Sequence, residues 1–438
     1  MTWPRLRVLL LALVLAAPAL APEVAHATPQ DLMGFGGRSP GLGMTGASYS
    51  DGFESAYTNP AGLGRNQRME LMVGATGGMF RLQLDNRDYP LDASQGMTIG
   101  FQLPLPFGGP LEDVLTLGAG FFTPFNTILR NDVRFAEVPQ WTVIDRAQVV
   151  ALQIGFGIGL ERWVPGLRLG VGISGLAQNS GTLDVLLDET NQFVSLTEVQ
   201  LLADFSPIAG VQYYRDNFAL GITYRSELVS AINLDIEVRN LPISLPLLGI
   251  DAYAHYDPHN ISVEGSWKPN PKLMLVLNLT WRHWSAYPGP AGATTDRSNF
   301  PPAMNLRDTV SPRIGVEYTT TTDRLALTAR GGFLFEPTAT PPAAMAAVRD
   351  YTGAPLLDMD GNVVMQPQRR LDNNRFIVTA GFGLEWKTNN EPVFRLDVFG
   401  QLHALQGRTH RVPVAGGTNN METGGYMLVL GGTTGLAW

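Results

Sequence analysis

Residues 150–161 read VALQIGFGIGLE, and their side chains alternate without a break. Leu152, Ile154, Phe156, Ile158 and Leu160 fall on one face, and Ala151, Gln153, Gly155, Gly157, Gly159 and Glu161 on the other. A period of two marks a strand. Phe376, Val378, Ala380, Phe382, Leu384 and Trp386 repeat the split against Thr379, Gly381, Gly383, Glu385 and Lys387, as do residues 273–282. One face suits hydrocarbon; the other tolerates charge and is kept small.

Soluble sandwiches also alternate, so the connections decide between the two architectures. Roughly fourteen strand-like runs can be marked, the first centred near Val73 and the last near Leu430. Short connections at 162–166, 214–217, 268–271, 319–323 and 387–391 alternate with long ones at 181–204, 229–257, 285–310, 337–373 and 406–422. Short turns on one side and long loops on the other belong to an outer-membrane barrel, with an even strand count returning both ends to the periplasm. Tyr426, Leu428, Leu430, Gly432, Thr434, Leu436 and Trp438 share a face of the last run. A terminal aromatic strand of this kind resembles the signal that hands bacterial barrels to their assembly machinery. The expected fold is an all-β, transmembrane antiparallel barrel, integral to a bacterial outer membrane.

Composition agrees and excludes other classes. Arg5 and Arg7, an apolar run from Val8 to Leu20, and Ala25-His26-Ala27 read as a secretory signal peptide over 1–27. Ala19-Leu20-Ala21 is a second small-x-small site, so the cut can fall after either alanine. Losing Arg5, Arg7 and Glu23 takes the formal charge from −8 to −9, and an acidic exported chain makes nucleic acid an unsuitable partner. Without cysteine there is no disulfide or thiolate chemistry. Beyond the leader no apolar run is long enough for a membrane helix.

Residues 34–64 are glycine-rich, without strand pattern and too poor in large residues to cover a core of their own. A segment over 28–66, ahead of a barrel over 67–438, has the size to fold inside the lumen as a plug, or hatch, since a barrel this wide otherwise leaves a channel. Within it Tyr57 precedes Asn59-Pro60-Ala61-Gly62, which resembles the plug motif of the FadL-type outer-membrane transporters for long-chain fatty acids and aromatic hydrocarbons. Gly43-Met44-Thr45-Gly46-Ala47 is similar to that family's glycine-rich lead-in. Tyr224-Arg225-Ser226, Trp281 with Trp284-Ser285, Arg330-Gly331-Gly332-Phe333, and Leu371-Asp372 with Arg375 follow in the family's order. The third outer loop departs by keeping only Asp204 of an acidic pair, and the sixth is long and proline-rich around 337–342.

The resemblance implies passive uptake of a hydrophobic ligand, a fatty acid or aromatic hydrocarbon, without catalysis or cofactor. Apolar outer loops such as 241–250 would gather the ligand, the plug would shift at Asn59, Pro60, Ala61 and Gly62, and the ligand would leave sideways near a kinked strand. Pro104 with Pro106, or Pro124, are the candidates for that kink. Lumen-facing Arg330 would bind a ligand carboxylate or pair with an internal acid, Glu317 or Glu385; the first role predicts that Arg330→Ala weakens fatty-acid but not toluene uptake. A water-filled porin and a non-transporting adhesive barrel are the competing readings.

Smaller motifs have ordinary explanations. Gly41 to Gly46 fits G-x-G-x-x-G but lacks the flanking strand and helix of a dinucleotide site. Asp358 with Asp360-Gly361-Asn362 reads as a turn before a calcium loop. His283 and Ser285 raise a membrane esterase, outweighed by an aromatic girdle of Trp281, Trp284 and Tyr287. Arg408, His410 and Arg411 form a basic cluster in the last outer loop, solvated or in contact with lipopolysaccharide phosphate.

Overall fold

The computed structural model describes residues 28–438 except 66–67, 110–111, 126–139, 142–148, 188–192, 240–247, 288–304, 342–344, 349–353, 368–369, 389–390 and 415–416. The leader read over 1–27 and most of the apolar stretch 241–250 lie outside the described residues.

Fourteen antiparallel strands close into a barrel among the described residues. They are β1 (Glu70–Leu84), β2 (Ser94–Pro104), β3 (Leu115–Pro124), β4 (Ala151–Gly159), β5 (Leu167–Leu187), β6 (Phe193–Arg215) and β7 (Phe218–Arg225). The ring continues with β8 (Asn260–Asn270), β9 (Leu273–Arg282), β10 (Thr309–Thr321), β11 (Leu325–Glu336), β12 (Arg375–Thr388), β13 (Glu391–Val414) and β14 (Gly417–Ala437). The seam is β14 against β1, with Glu70 opposite Ala437 and Leu84 opposite Thr423. Trp438 extends it by exchanging backbone hydrogen bonds with Met69 at 3.0 and 2.9 Å.

The alternation becomes the wall's two faces. Leu277, Val378 and Leu430 point outward and are 61%, 55% and 65% exposed, a cost in water but not in a bilayer. Their neighbours Asn278, Thr379 and Val429 point inward and are buried. Periplasmic turns are tight: Asn270 Oδ1 accepts from the backbone N–H groups of Lys272 and Leu273, and Gly166 turns at φ +81°, where a Cβ would lie 1.9 Å from the Tyr214 carbonyl oxygen.

Two of the long loops are corrected to strand. β5 and β6 pair out to Leu187 opposite Phe193, through most of 181–204, and β13 and β14 pair out to Val414 opposite Gly417, through most of 406–422. Beyond the hydrocarbon a strand needs no continuous apolar outer face, so the alternation that marks a strand fades while pairing continues. Within 229–257 a further hairpin, Leu228–Arg239 with Leu248–Asp257, leaves β7 and pairs in parallel with β5 from Asn179 to Leu186. β4 stops pairing with β5 at Leu176, so the hairpin takes the edge that β4 leaves and roofs the mouth.

Inside lie short helices, α1 (Pro29–Met33), α2 (Arg38–Gly41) and α3 (Ser55–Thr58), then a 3₁₀ turn, Pro60–Arg65. Thr28 caps α1 through its side chain to the Asp31 N–H, and Pro29 occupies the first turn, where no N–H is needed.

Candidate functional site

The plug is fastened by its own motif. Asn59 is buried; its Nδ2 donates to the carbonyls of Ala47 in the plug at 2.7 Å and of Val211 in the wall at 3.1 Å. Its Oδ1 accepts from the Ala61 N–H at 3.1 Å, and its carbonyl from the Gly62 N–H at 2.9 Å, which starts the 3₁₀ turn. That turn lies on bare backbone: a Cβ on Gly170 of β5 would sit 2.1 Å from Ala61 N, and one on Gly157 of β4 would sit 2.3 Å from Gly64 N. The small inner face seen in the sequence is therefore a seat for Pro60, Ala61 and their neighbours.

Charged wall residues hold the rest. Glu264 of β8 is buried and accepts from Gly46 N, Ser48 N and Ser48 Oγ, each at 2.8 Å, and from Asn278 Nδ2 at 2.9 Å. Glu336 of β11 gathers Arg282 at 2.7 Å, Arg313 at 3.4 Å and Arg375 at 2.6 Å, and Arg282 reaches on to Asp31 of α1 at 3.1 Å. On the periplasmic side Glu317 of β10 binds Arg38 of α2 at 2.7 Å and Arg330 at 2.8 Å, and Arg330 also pairs with Asp397. Buried charges persist only when partnered, so plug and wall neutralise each other.

Arg330 thus takes the internal pairing, with Glu317, while Glu385 goes to Arg395 at 3.1 Å. Its guanidinium is spent on two acids. Replacing Arg330 with Ala is expected to change the uptake of charged and uncharged solutes alike, by loosening Glu317 and Arg38; transport assays with oleate and toluene check this.

Glu54, half-buried at the start of α3, responds to pH. Burial and the nearby Asp397 carboxylate push its carboxyl from the ordinary 4.5 up to about 7, against a hydrogen bond from the Ser39 N–H. The seated plug binds this proton more tightly than the unseated one, so seating weakens as pH rises from 4.5 through about 7. Protease clipping of the plug should be faster at pH 8 than at pH 5, and Glu54→Gln should flatten the difference.

One side of the lumen is apolar. Leu32 and Met33 of α1 pack into a buried cluster with Phe122, Ala151, Leu176, Phe399, Met427 and Val429 of the wall and Leu228 at the foot of the roof. The cavities beside α1 measure 20 and 30 Å³, room for about one water each. The lumen is filled beside α1, while towards the periplasm a charged space of about 270 Å³ lies between Arg38 of the plug and Glu317, Arg330 and Lys387 of the wall. Neither Leu32 and Met33 nor the acids Glu264 and Glu336 stood out in the sequence; a charge on the small face of an alternating strand is the signal that locates the acids.

Several expectations change. Trp284 and Tyr287 do not form an outer girdle: both are buried, with rings 5.3 and 5.5 Å from that of Tyr256, because a 3₁₀ turn (Trp284–Ala286) folds them inward over the mouth. Ser285 Oγ and Asp308 both meet the same nitrogen of His283, Nδ1, at 3.4 and 3.0 Å. A serine relay requires the two ring nitrogens separately, so this is an Asp-capped turn. Pro104 and Pro124 end β2 and β3 within an unbroken register and open no gap at that seam. Asp358 spends its oxygens on Asp360 N, Asn362 N and Asn362 Nδ2, as a turn does. Arg408 donates to the carbonyls of Asp372 and Thr340 at 3.0 and 2.9 Å, and His410 is buried within the β13–β14 hairpin, which leaves Arg411 exposed.

A closed barrel with an ion-paired plug and an apolar lumen wall defines a plugged outer-membrane transport barrel. The chain belongs to the family of outer membrane protein transport proteins (OMPP1/FadL/TodX), whose sequence profile matches residues 19–348. A search among curated proteins gave no match. Among solved structures it is similar to a Pseudomonas aeruginosa FadL homologue (12% identity, 92% of this chain and 97% of that one, TM-score 0.55). It is also similar to the Ralstonia pickettii toluene transporter TbuX (15%, 93% and 99%, 0.52) and the P. putida toluene transporter TodX (13%, 93% and 99%, 0.52). At these identities the likeness is one of fold.

Proposed function

We propose that the protein carries apolar molecules inward across the outer membrane, and that the cargo replaces Leu32 and Met33 in the apolar half of the lumen. The observation that supports it most is that cluster: hydrophobic side chains of a removable segment fill a hydrophobic wall, as a ligand would. Apolar spaces vacated in this way stay dry and accept aromatic solutes. An uncharged hydrocarbon fits better than a fatty acid, because Arg330 is already neutralised. Asn59 to Gly62 and Arg330 then serve as plug fastenings, gating rather than touching cargo. A plug ion-paired to the wall across the lumen disfavours the porin reading, and the family disfavours a purely adhesive one. Exposed Arg411 remains a contact for lipopolysaccharide phosphate, and the strand ending at Trp438 a handle for the assembly machinery.

Cells lacking the protein should take up labelled toluene at low concentration several-fold more slowly than complemented cells; equal rates would sink the proposal. In purified protein, replacing Leu32 and Met33 together with Ala should tighten toluene binding about tenfold, since less apolar side chain must be displaced. Tryptophan fluorescence titration reads it, and unchanged binding would move the cargo elsewhere.

A further inference from the structure

Asp257 closes the roof hairpin, and both its carboxylate oxygens are committed to one residue. Oδ1 accepts from the Thr28 backbone nitrogen at 2.6 Å, and Oδ2 from Thr28 Oγ1 at 2.8 Å. Among the described residues no arginine, lysine or histidine forms an ion pair with it. The charges that face it are Asp31, of like sign and already bound to Arg282 at 3.1 Å, and Arg225, which lies over the Tyr57 ring at 4.1 Å and donates to Asn260 at 3.3 Å. With the chain continuous through Ala27 the Thr28 nitrogen is a neutral amide, and burial together with Asp31 pushes the Asp257 carboxyl up to about 7. A half-buried carboxylate without a cation is costly, and the group placed against it is buried Thr28, the first residue after Ala25-His26-Ala27.

We propose that the leader is removed between Ala27 and Thr28, and that the ammonium this creates is buried as an ion pair with Asp257, latching α1 of the plug to the roof hairpin. The step is a peptidase-catalysed hydrolysis. The Ala27–Thr28 amide bond breaks, water's hydroxyl completes a carboxylate on Ala27, and the Thr28 nitrogen takes one proton to become an amine and a second to become the ammonium. Its donors then stand where the amide N–H stands now. Cleavage after Ala21 would leave residues 22–27 attached and the Thr28 nitrogen neutral, so the two small-x-small sites differ in consequence. The gating role of the latch rests on the transport reading above; the bond itself does not, and the test reads the bond.

N-terminal sequencing of protein purified from outer membranes should return Thr28; Pro22 would overturn the proposal. Reductive methylation with formaldehyde and cyanoborohydride then probes the amine, which reacts only when unprotonated. Pairing that raises the amine's pKa by about one unit slows it about tenfold. The Thr28 amine should therefore react at least tenfold more slowly in the folded barrel than in urea, while exposed Lys272 reacts freely in the folded state. Asp257→Asn should restore the fast rate in a barrel whose heat-modifiable gel shift shows it folded. Equal rates in folded and unfolded wild-type protein would overturn the latch, and that comparison decides even if the variant fails to fold. Loss of toluene uptake with an intact latch would instead count against the transport reading alone.

Discussion

Deletion of residues 28–66 is expected to convert a nearly silent barrel into an ion channel, with single-channel conductance in planar bilayers rising about tenfold or more. A ring of fourteen strands is wider than its own inward side chains can fill, and here the filling is the plug. With it in place, the cavities beside α1 measure 20 and 30 Å³, too small for a hydrated ion, and the wider space of about 270 Å³ lies on the periplasmic side of the plug. Without it, Glu264, Glu317 and Arg282 line an open lumen and exchange plug partners for water, so the pore should also be salt-sensitive. The barrel itself should survive, because its strand pairing runs around the ring and closes from Glu70 to Ala437 without the plug. An intact protein that already conducts like the deletion would refute the plugged-lumen reading.

The second large effect comes from a single methyl-bearing carbon. Gly170→Val places a Cβ 2.1 Å from both Ala61 N and Pro60 C, and these are backbone atoms that cannot rotate aside. Overpacking of this kind costs about 1–3 kcal/mol. The strain falls between plug and wall, so the cheapest relief is for the 3₁₀ turn to lift from its seat. The expected outcome is a folded barrel with elevated conductance and a plug open to protease. Gly265→Ala is the control: its Cβ would meet only Leu220 Cδ2, at an ordinary 3.7 Å. If Gly170→Val leaves conductance and proteolysis at wild-type levels, the glycine track is not what seats the plug.

The barrel was legible because hydrocarbon imposes a strict rule on each strand, and residues 150–161 or 376–386 obey it over their whole length. The rule lapses beyond the hydrocarbon, where no lipid demands an apolar outer face, which is why the outer halves of β5, β6, β13 and β14 read as loops. The plug was legible by its length and glycine content, and Asn59-Pro60-Ala61-Gly62 by resemblance. Leu32 and Met33 were not, since a five-residue helix offers no period to detect. Arg330 could be placed in the lumen from alternation alone, and Glu317, thirteen positions earlier across the β10–β11 hairpin, was already among its possible partners. Asp397 was not, because it comes from a strand far along the chain. Trp284 and Tyr287 defeated the girdle reading because a strand that ends in a 3₁₀ turn no longer dictates which way its aromatics face.

The parallel seam between the roof hairpin and β5 bears on which contact parts first. Parallel ladders hold slightly less per residue than antiparallel ones, and this one joins segments separated in sequence by the whole β6–β7 hairpin. Residues 232–239 meet β5 on the edge that β4 leaves beyond Leu176, so the roof is joined to the ring along this one parallel ladder and by the chain leaving β7. Under load this seam is expected to part before the antiparallel ladders of the ring, which would give the molecule a front door that opens before its walls do.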